Sequence, residues 1–207
     1  MRKLEGRLPE VRIEVVTTTF VASGQPEGIH DLGRFLESLN NPSVSRHIEL
    51  MNPAIRPLYR AQAHVELDAP LLVRREEVVF ANFDGPYFTR GTVRPTEVEV
   101  PVLLMAPPFQ IQGTINMQPN TDATQALRTA ISGFFVVHNA LVFDADGNQL
   151  GEGEQIVVNG AAVQMTAATR RRIEAIAPAH VTQPAQAARV EEEPEPLEIE
   201  ESETRAA

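Results

Sequence analysis

The sequence predicts an α+β fold, mostly β: two tandem small twisted sheets or partly closed barrels, each with one short helix, plus a disordered acidic C-terminal tail. Three observations predict it. Residues 11–83 and 100–161 read as two diverged copies of one module, since each runs through an alternating apolar stretch, Phe-x-x-x-Gly, an amphipathic segment and further apolar stretches. Phe20 and Gly24 of the first copy match Phe109 and Gly113 of the second, 89 positions later in both cases. Most apolar stretches alternate with a period of two, the pattern of half-buried strands, and few follow helical spacing. Past Pro178 that pattern fades, and Pro184–Ala207 is rich in Pro, Glu, Ala and Gln. The implied division is an arm at 1–10, copy one at 11–95, copy two at 96–166, a short helix and linker at 167–183, and the tail at 184–207. Modules this small have marginal cores and are expected to pack on each other or on another chain.

Val11–Val16 alternates with Arg12 and Glu14 on the opposite face, a half-buried strand. Thr17–Thr19 bends the chain into Phe20–Gln25, whose glycine fits a bend or bulge. Asp31 is a candidate N-cap, and Leu32, Phe35, Leu36 and Leu39 fall on one face of a helix. Asn40-Asn41-Pro42 stops that helix with a left-handed cap. Strands are expected at His47–Met51, Ala63–Leu67, Leu71–Arg74 and Glu77–Phe83, with Pro53 and Pro57 making the first connection an edge or an irregular loop. Copy two repeats the order: Val98–Met105 and Phe109–Met117 pair across Ala106-Pro107-Pro108, and a helix covers Ala123–Ile131. Then come the strand Phe134–Phe143, a turn at Asp144–Asn148, the strand Glu154–Val158, a hairpin signal at Asn159-Gly160, and Ala161–Met165. Ala167–Ala177 contains good helix formers.

Composition removes whole function classes. With no Cys there is no thiolate nucleophile, no Cys-ligated zinc or iron–sulfur cluster, and no disulfide framework. Lys3 is the only lysine, so a phosphate-loop or Schiff-base lysine would have to sit in the arm. The N-terminus lacks the apolar run of a secretory signal, and no stretch approaches the ~20 apolar residues of a membrane span; the expected location is the cytoplasm, away from membranes. The net charge of −10 is concentrated at the C-terminus, where eight glutamates face Arg205 between Val190 and Ala207. The remainder is near neutrality and offers no broad attraction to nucleic acid.

Candidate chemistry yields to simpler explanations. Asp144, Asp146 and Asn148 resemble part of a calcium loop but lack its third ligand before the glycine and the glutamate six residues after it, so a turn is expected. No two of the histidines have zinc-ligand spacing, and His138 reads as a strand residue. Ser132, His138 and Asp144 do not make a triad, because Ser132 precedes a strand and does not sit on a strand-to-helix elbow. Neither a catalytic residue nor a cofactor or metal site is assigned. The residues expected at a binding surface are Asn52 and Asn139 at matching strand ends, Asn82 and Asn159 likewise, and the basic cluster Arg170, Arg171 and Arg172.

The strand pair bearing Phe-x-x-x-Gly, a short helix ending near Leu-Asn, and a following apolar strand resemble an uncharacterised family of small bacterial β-rich domains. The match is best at Thr17–Asn40 and Ile48–Ala54; copy two keeps Phe109, Gly113 and Leu127 but not the Leu-Asn end. The resemblance implies a compact β-rich fold and no particular substrate. The expected function is that of a non-enzymatic interaction or scaffold module, self-associating or bound to another protein, with the tail as tether. The alternative is a nucleic-acid-binding small barrel of the Sm-like kind, and a further alternative is a small-molecule sensor or enzyme.

Overall fold

A computed structural model describes residues 11–41, 43, 46–59, 63–85 and 97–168. The arm, the Arg170–Arg172 cluster, most of the 167–183 segment and the acidic tail lie outside the described residues. In chain order the elements are β1 (Arg12–Val16), β2 (Phe20–Pro26), α1 (Leu32–Asn40), β3 (His47–Pro57), β4 (Val65–Glu66), β5 (Leu71–Arg74) and β6 (Phe80–Asp84). The second half supplies β7 (Val98–Ala106), β8 (Phe109–Met117), α2 (Ala123–Ala130), β9 (Phe134–Phe143), β10 (Gln149–Asn159) and β11 (Met165–Ala168). A short 3-10 turn precedes the last strand of each half, at Arg75–Glu77 and Gly160–Ala162.

Among the described residues the architecture is mostly β with two helices, as the alternation predicts. The strands do not separate into two sheets, however. They join in one antiparallel sheet of order β11-β7-β8-β9-β10-β6-β1-β2-β3-β4, with β5 also on β3. The outer side of β3 is shared, β4 pairing with Ala54–Ile55 and β5 with His47–Leu50. Within each half the order is the same, and so is the register. Ile13 lies opposite Gly24 as Val102 lies opposite Gly113, and Val16 opposite Phe80 as Met105 opposite Met165.

Both helices start on aspartate caps: the Asp31 carboxylate accepts from the Arg34 N–H at 2.8 Å, and Asp122 accepts from the Gln125 N–H at 2.9 Å. The apolar stripe of α1 buries Leu32, Phe35 and Leu39, whereas the alanine-rich α2 buries only Leu127 fully. α1 does not end on a left-handed asparagine; Asn41 is extended, and its N–H bonds back to the Glu37 carbonyl.

Three other expectations change. β3 runs unbroken through Pro53, which is fully buried, because a bulge at Asn52 absorbs the proline. Asn159-Gly160 is not a hairpin: Asn159 has φ −79°, and the 3-10 turn throws the chain across to β7, where β11 pairs with Val102–Met105. A tight two-residue turn needs positive φ at both positions, and here the asparagine side chain instead accepts from the Ala161 N–H at 3.1 Å. Ala167 and Ala168, read as the start of a helix, are the end of β11.

Among the described residues two apolar clusters form the core, and they do not respect the halves. One gathers Leu104, Phe109, Ile111, Val137 and Val158 of the second half but also Val16, Val21, Val79 and Phe80 of the first. The other is built on Ile13, Val15, Phe35, Leu50 and Phe83 and takes in Val157 from β10.

Candidate functional site

The glycines of the two Phe-x-x-x-Gly motifs sit at one structural feature repeated in each half. Next to Gly24, β3 carries one extra residue relative to β2; next to Gly113, β9 carries one extra relative to β8. The bulged residues are Asn52, with φ 47°, and Asn139, with φ 49°. A left-handed backbone there favours asparagine among residues with a Cβ. The bulge pushes a carbonyl at the neighbouring strand, so that a Cβ on Gly24 would stand 2.9 Å from the Met51 oxygen and one on Gly113 2.7 Å from the His138 oxygen. Asn52 and Asn139 thus hold matching positions, both exposed, but inside β3 and β9 and not at the strand ends expected, and the task they share is to turn the strand.

Asn82 and Asn159 are not equivalents. Asn82 lies within β6, opposite Ile156, and donates to the Glu14 carboxylate at 3.4 Å. Asn159 ends β10, is 4% exposed, and donates from Nδ2 to the Val78 carbonyl at 2.8 Å. Its position in the first half is held by Arg74, as the matching 3-10 turns that follow show. Both asparagines instead belong to the seam between the halves. There β10 pairs antiparallel with β6, Ile156 with Asn82, Val157 with Ala81 and Val158 with Phe80, and the Asn159 N–H donates to the Val79 carbonyl at 3.0 Å. Asn40, at the end of α1, closes the seam from the side by donating to the Phe134 carbonyl at 2.8 Å and accepting from its N–H at 2.7 Å. Sequence reasoning missed Asn40, because only the fold carries α1 to β9.

The sheet ends on β11 at one side and on β4 and β5 at the other. Among the described residues β5 has a partner only on its β3 side and β11 only on its β7 side. Both strands keep apolar side chains in solvent: Leu72 is 58% exposed and Met165 63%, while Val65 on β4 extends the same edge at 60%. Unpaired strand edges with exposed apolar side chains are templates for pairing with another chain.

A second polar feature lies on β8. Gln110 and Gln112 are both 6% exposed, and the Nε2 of each, with the Thr114 hydroxyl, lacks a hydrogen-bond partner among the described residues. His138 faces Thr114 across the ladder, and burial lowers its pKa against the opposing pull of Glu99 and Glu97. Asp144 organises a turn, as expected: one oxygen accepts from the N–H groups of Asp146 and Asn148 at 2.9 and 2.8 Å, and the other accepts from Asn148 Nδ2 at 3.0 Å. These bonds, that of the Asn148 side chain foremost, hold the Asp144 carboxyl below its ordinary pKa. No grouping of three or more acidic, histidine or cysteine side chains able to hold a metal occurs among the described residues, and no described helix is long and apolar enough to cross a membrane. Comparison with protein-family models, with curated proteins and with solved structures finds no match.

Proposed function

We propose that the chain consists of two diverged copies of one β-rich module and works as a non-enzymatic interaction or scaffold module, located in the cytoplasm, whose partners are protein chains bound at its sheet edges. The observation that supports this reading is the open sheet: it ends at both sides on strands that carry exposed Leu72 and Met165. The seam shows what such an edge does when it is filled, since Val157 and Phe80 are 0% and 5% exposed there. Catalysis finds no comparable support. The Asp144 carboxylate is engaged by its own turn, and His138 lies six residues earlier within β9 with its charged form disfavoured.

Two measurements test the reading. A photo-crosslinking side chain at position 72 or 165 of the full chain in cells should give protein adducts, and an absence of protein adducts from both edges would sink it. Fluorescence anisotropy with labelled single-stranded RNA and duplex DNA, on the full chain and on a version ending at residue 183, should show no binding at near-physiological salt. Micromolar affinity that weakens with salt would replace this reading with the Sm-like one.

A further inference from the structure

The seam between the halves is a template that the chain has used only once. Its two sides are the strand before a 3-10 turn, β10, and the strand after the other such turn, β6. The first half has its own strand before the turn, β5, and the second half its own strand after it, β11. Neither has an outer partner among the described residues, and they lie on opposite sides of the sheet, β5 sharing its side with the two-residue β4.

From this we infer that the protein assembles head to tail with further copies of itself, β5 of one chain pairing antiparallel with β11 of the next in the register of the seam. The inference rests on the interaction-module reading and names the partner: a second copy of this chain.

The register follows residue by residue. Leu71, Leu72 and Val73 meet β3 at Leu50, Glu49 and Ile48, as Ile156, Val157 and Val158 meet β9 at Val137, Val136 and Phe135. Met165, Thr166 and Ala167 meet β7 at Met105, Leu104 and Leu103, as Phe80, Ala81 and Asn82 meet β1 at Val16, Val15 and Glu14. Carrying the seam pairs over places Leu72 opposite Thr166 and Val73 opposite Met165 of the next copy. The backbone approach to the 3-10 turn is already in place on both sides. In the first half the Val79 N–H donates to the Val16 carbonyl at 2.8 Å, and in the second the Gln164 N–H donates to the Met105 carbonyl at 2.8 Å.

Exposure separates the filled template from the unfilled one. Val157 and Phe80 are buried at the seam, whereas their counterparts Leu72 and Met165 stand 58% and 63% exposed. A second copy would cover both and satisfy the outer N–H and C=O groups of two strands, which single exposed side chains elsewhere on a surface do not require. Because the two surfaces differ, the contact is heterologous, and repetition gives a closed ring or an open filament, never a two-fold dimer.

The chain contains no cysteine, so an engineered thiol pair reports the contact against an empty background. Directly opposed residues in an antiparallel pair lie ~4.5–5.5 Å apart at Cα, within disulfide range. Mixing the full-length Leu72→Cys chain with the Thr166→Cys chain under mild oxidation should give a covalent dimer, and neither variant alone should do so. The double variant should give a ladder. Size exclusion with light scattering should show multiples of 22.8 kDa for the natural chain. Met165→Glu, at an exposed position, should lower the self-affinity at least tenfold without changing the melting temperature at dilutions where the chain is monomeric. Self-crosslinking of either single variant at the yield of the mixture would mean like-with-like edge pairing and would overturn the proposal. So would a monomer at every concentration with no mixed disulfide. If protein adducts from the two edges persisted in cells in that case, the interaction-module reading would stand with a different partner.

Discussion

Gly113 and Asn139 work as one device, in which a left-handed asparagine throws a carbonyl toward a strand that must have no side chain to receive it. A methyl on Gly113 would also stand 2.5 Å from Val137 Cγ1, so the obstruction is both backbone and core. Gly113→Ala should therefore destabilise by about 1–3 kcal/mol, the cost of forcing atoms into a packed site, read as a lower urea midpoint with unchanged slope. Asn139→Gly should be close to neutral and Asn139→Val clearly destabilising, because a β-branched residue at φ 49° is strained. Equal loss from both Asn139 variants would show that the side chain, and not its backbone angle, matters there. The two motif phenylalanines differ: Phe109 is 2% exposed and meets Phe80 edge-on at 5.2 Å, while Phe20 is only half-buried.

His138 gives a pH dependence at the same scale. Burial lowers its pKa from the ordinary 6.5, so the unfolded chain takes up a proton before the folded one does. Stability linked to this group is present above about pH 6.5 and is lost as the pH falls toward its folded pKa. A titration followed by NMR should place His138 below 6.5, and His138→Gln should flatten the fall in urea midpoint between neutral and mildly acid pH. A folded pKa above 6.5, or an unchanged slope in the variant, would contradict this.

Among elements, α1 ties the halves together outside the sheet. Its apolar stripe serves the first-half cluster, but its last residue holds the backbone of β9 through two hydrogen bonds. Each such bond is worth about 0.5–1.5 kcal/mol net. Asn40→Ala should cost about 1–2 kcal/mol in denaturant unfolding and should increase amide exchange at Phe134 before it affects the rest of β9. An effect confined to α1 would mean that Asn40 acts only as a helix end. α2 buries one residue fully, in keeping with its small side chains.

At the level of the whole molecule, the interleaved clusters imply one cooperative unit. Phe80 belongs to a first-half strand and packs in the second-half cluster, 5% exposed. Phe80→Ala should cost about 3–5 kcal/mol and lower a single calorimetric transition as a whole. Two resolved transitions, only one of them shifted, would show instead that the halves unfold separately. The open edges at either end of the sheet bear on assembly, and a preparation in which they pair would melt at a temperature that rises with protein concentration.

Much of this protein could be read from its residues alone. The period-two apolar runs specify strands, the Leu32-Phe35-Leu36-Leu39 spacing specifies α1, and Asp31 fixes its start, because these signals depend on neighbours a few positions away. The matched Phe-x-x-x-Gly motifs likewise point to equivalent places, and Asn52 and Asn139 do match, though as bulges within their strands and not at strand ends. The signals that misled were those whose outcome depends on distant chain. Asn159-Gly160 has the local chemistry of a hairpin, yet β7 offers a free ladder to β11 and a buried carbonyl at Val78 claims the asparagine amide. Pro53 breaks a regular strand but is absorbed by a bulge that the facing glycine permits. Above all, a strand's sequence does not say which strand will lie beside it: backbone hydrogen bonds are the same for every partner, and only tertiary packing placed β10 against β6 and left β5 and β11 without an outer partner among the described residues.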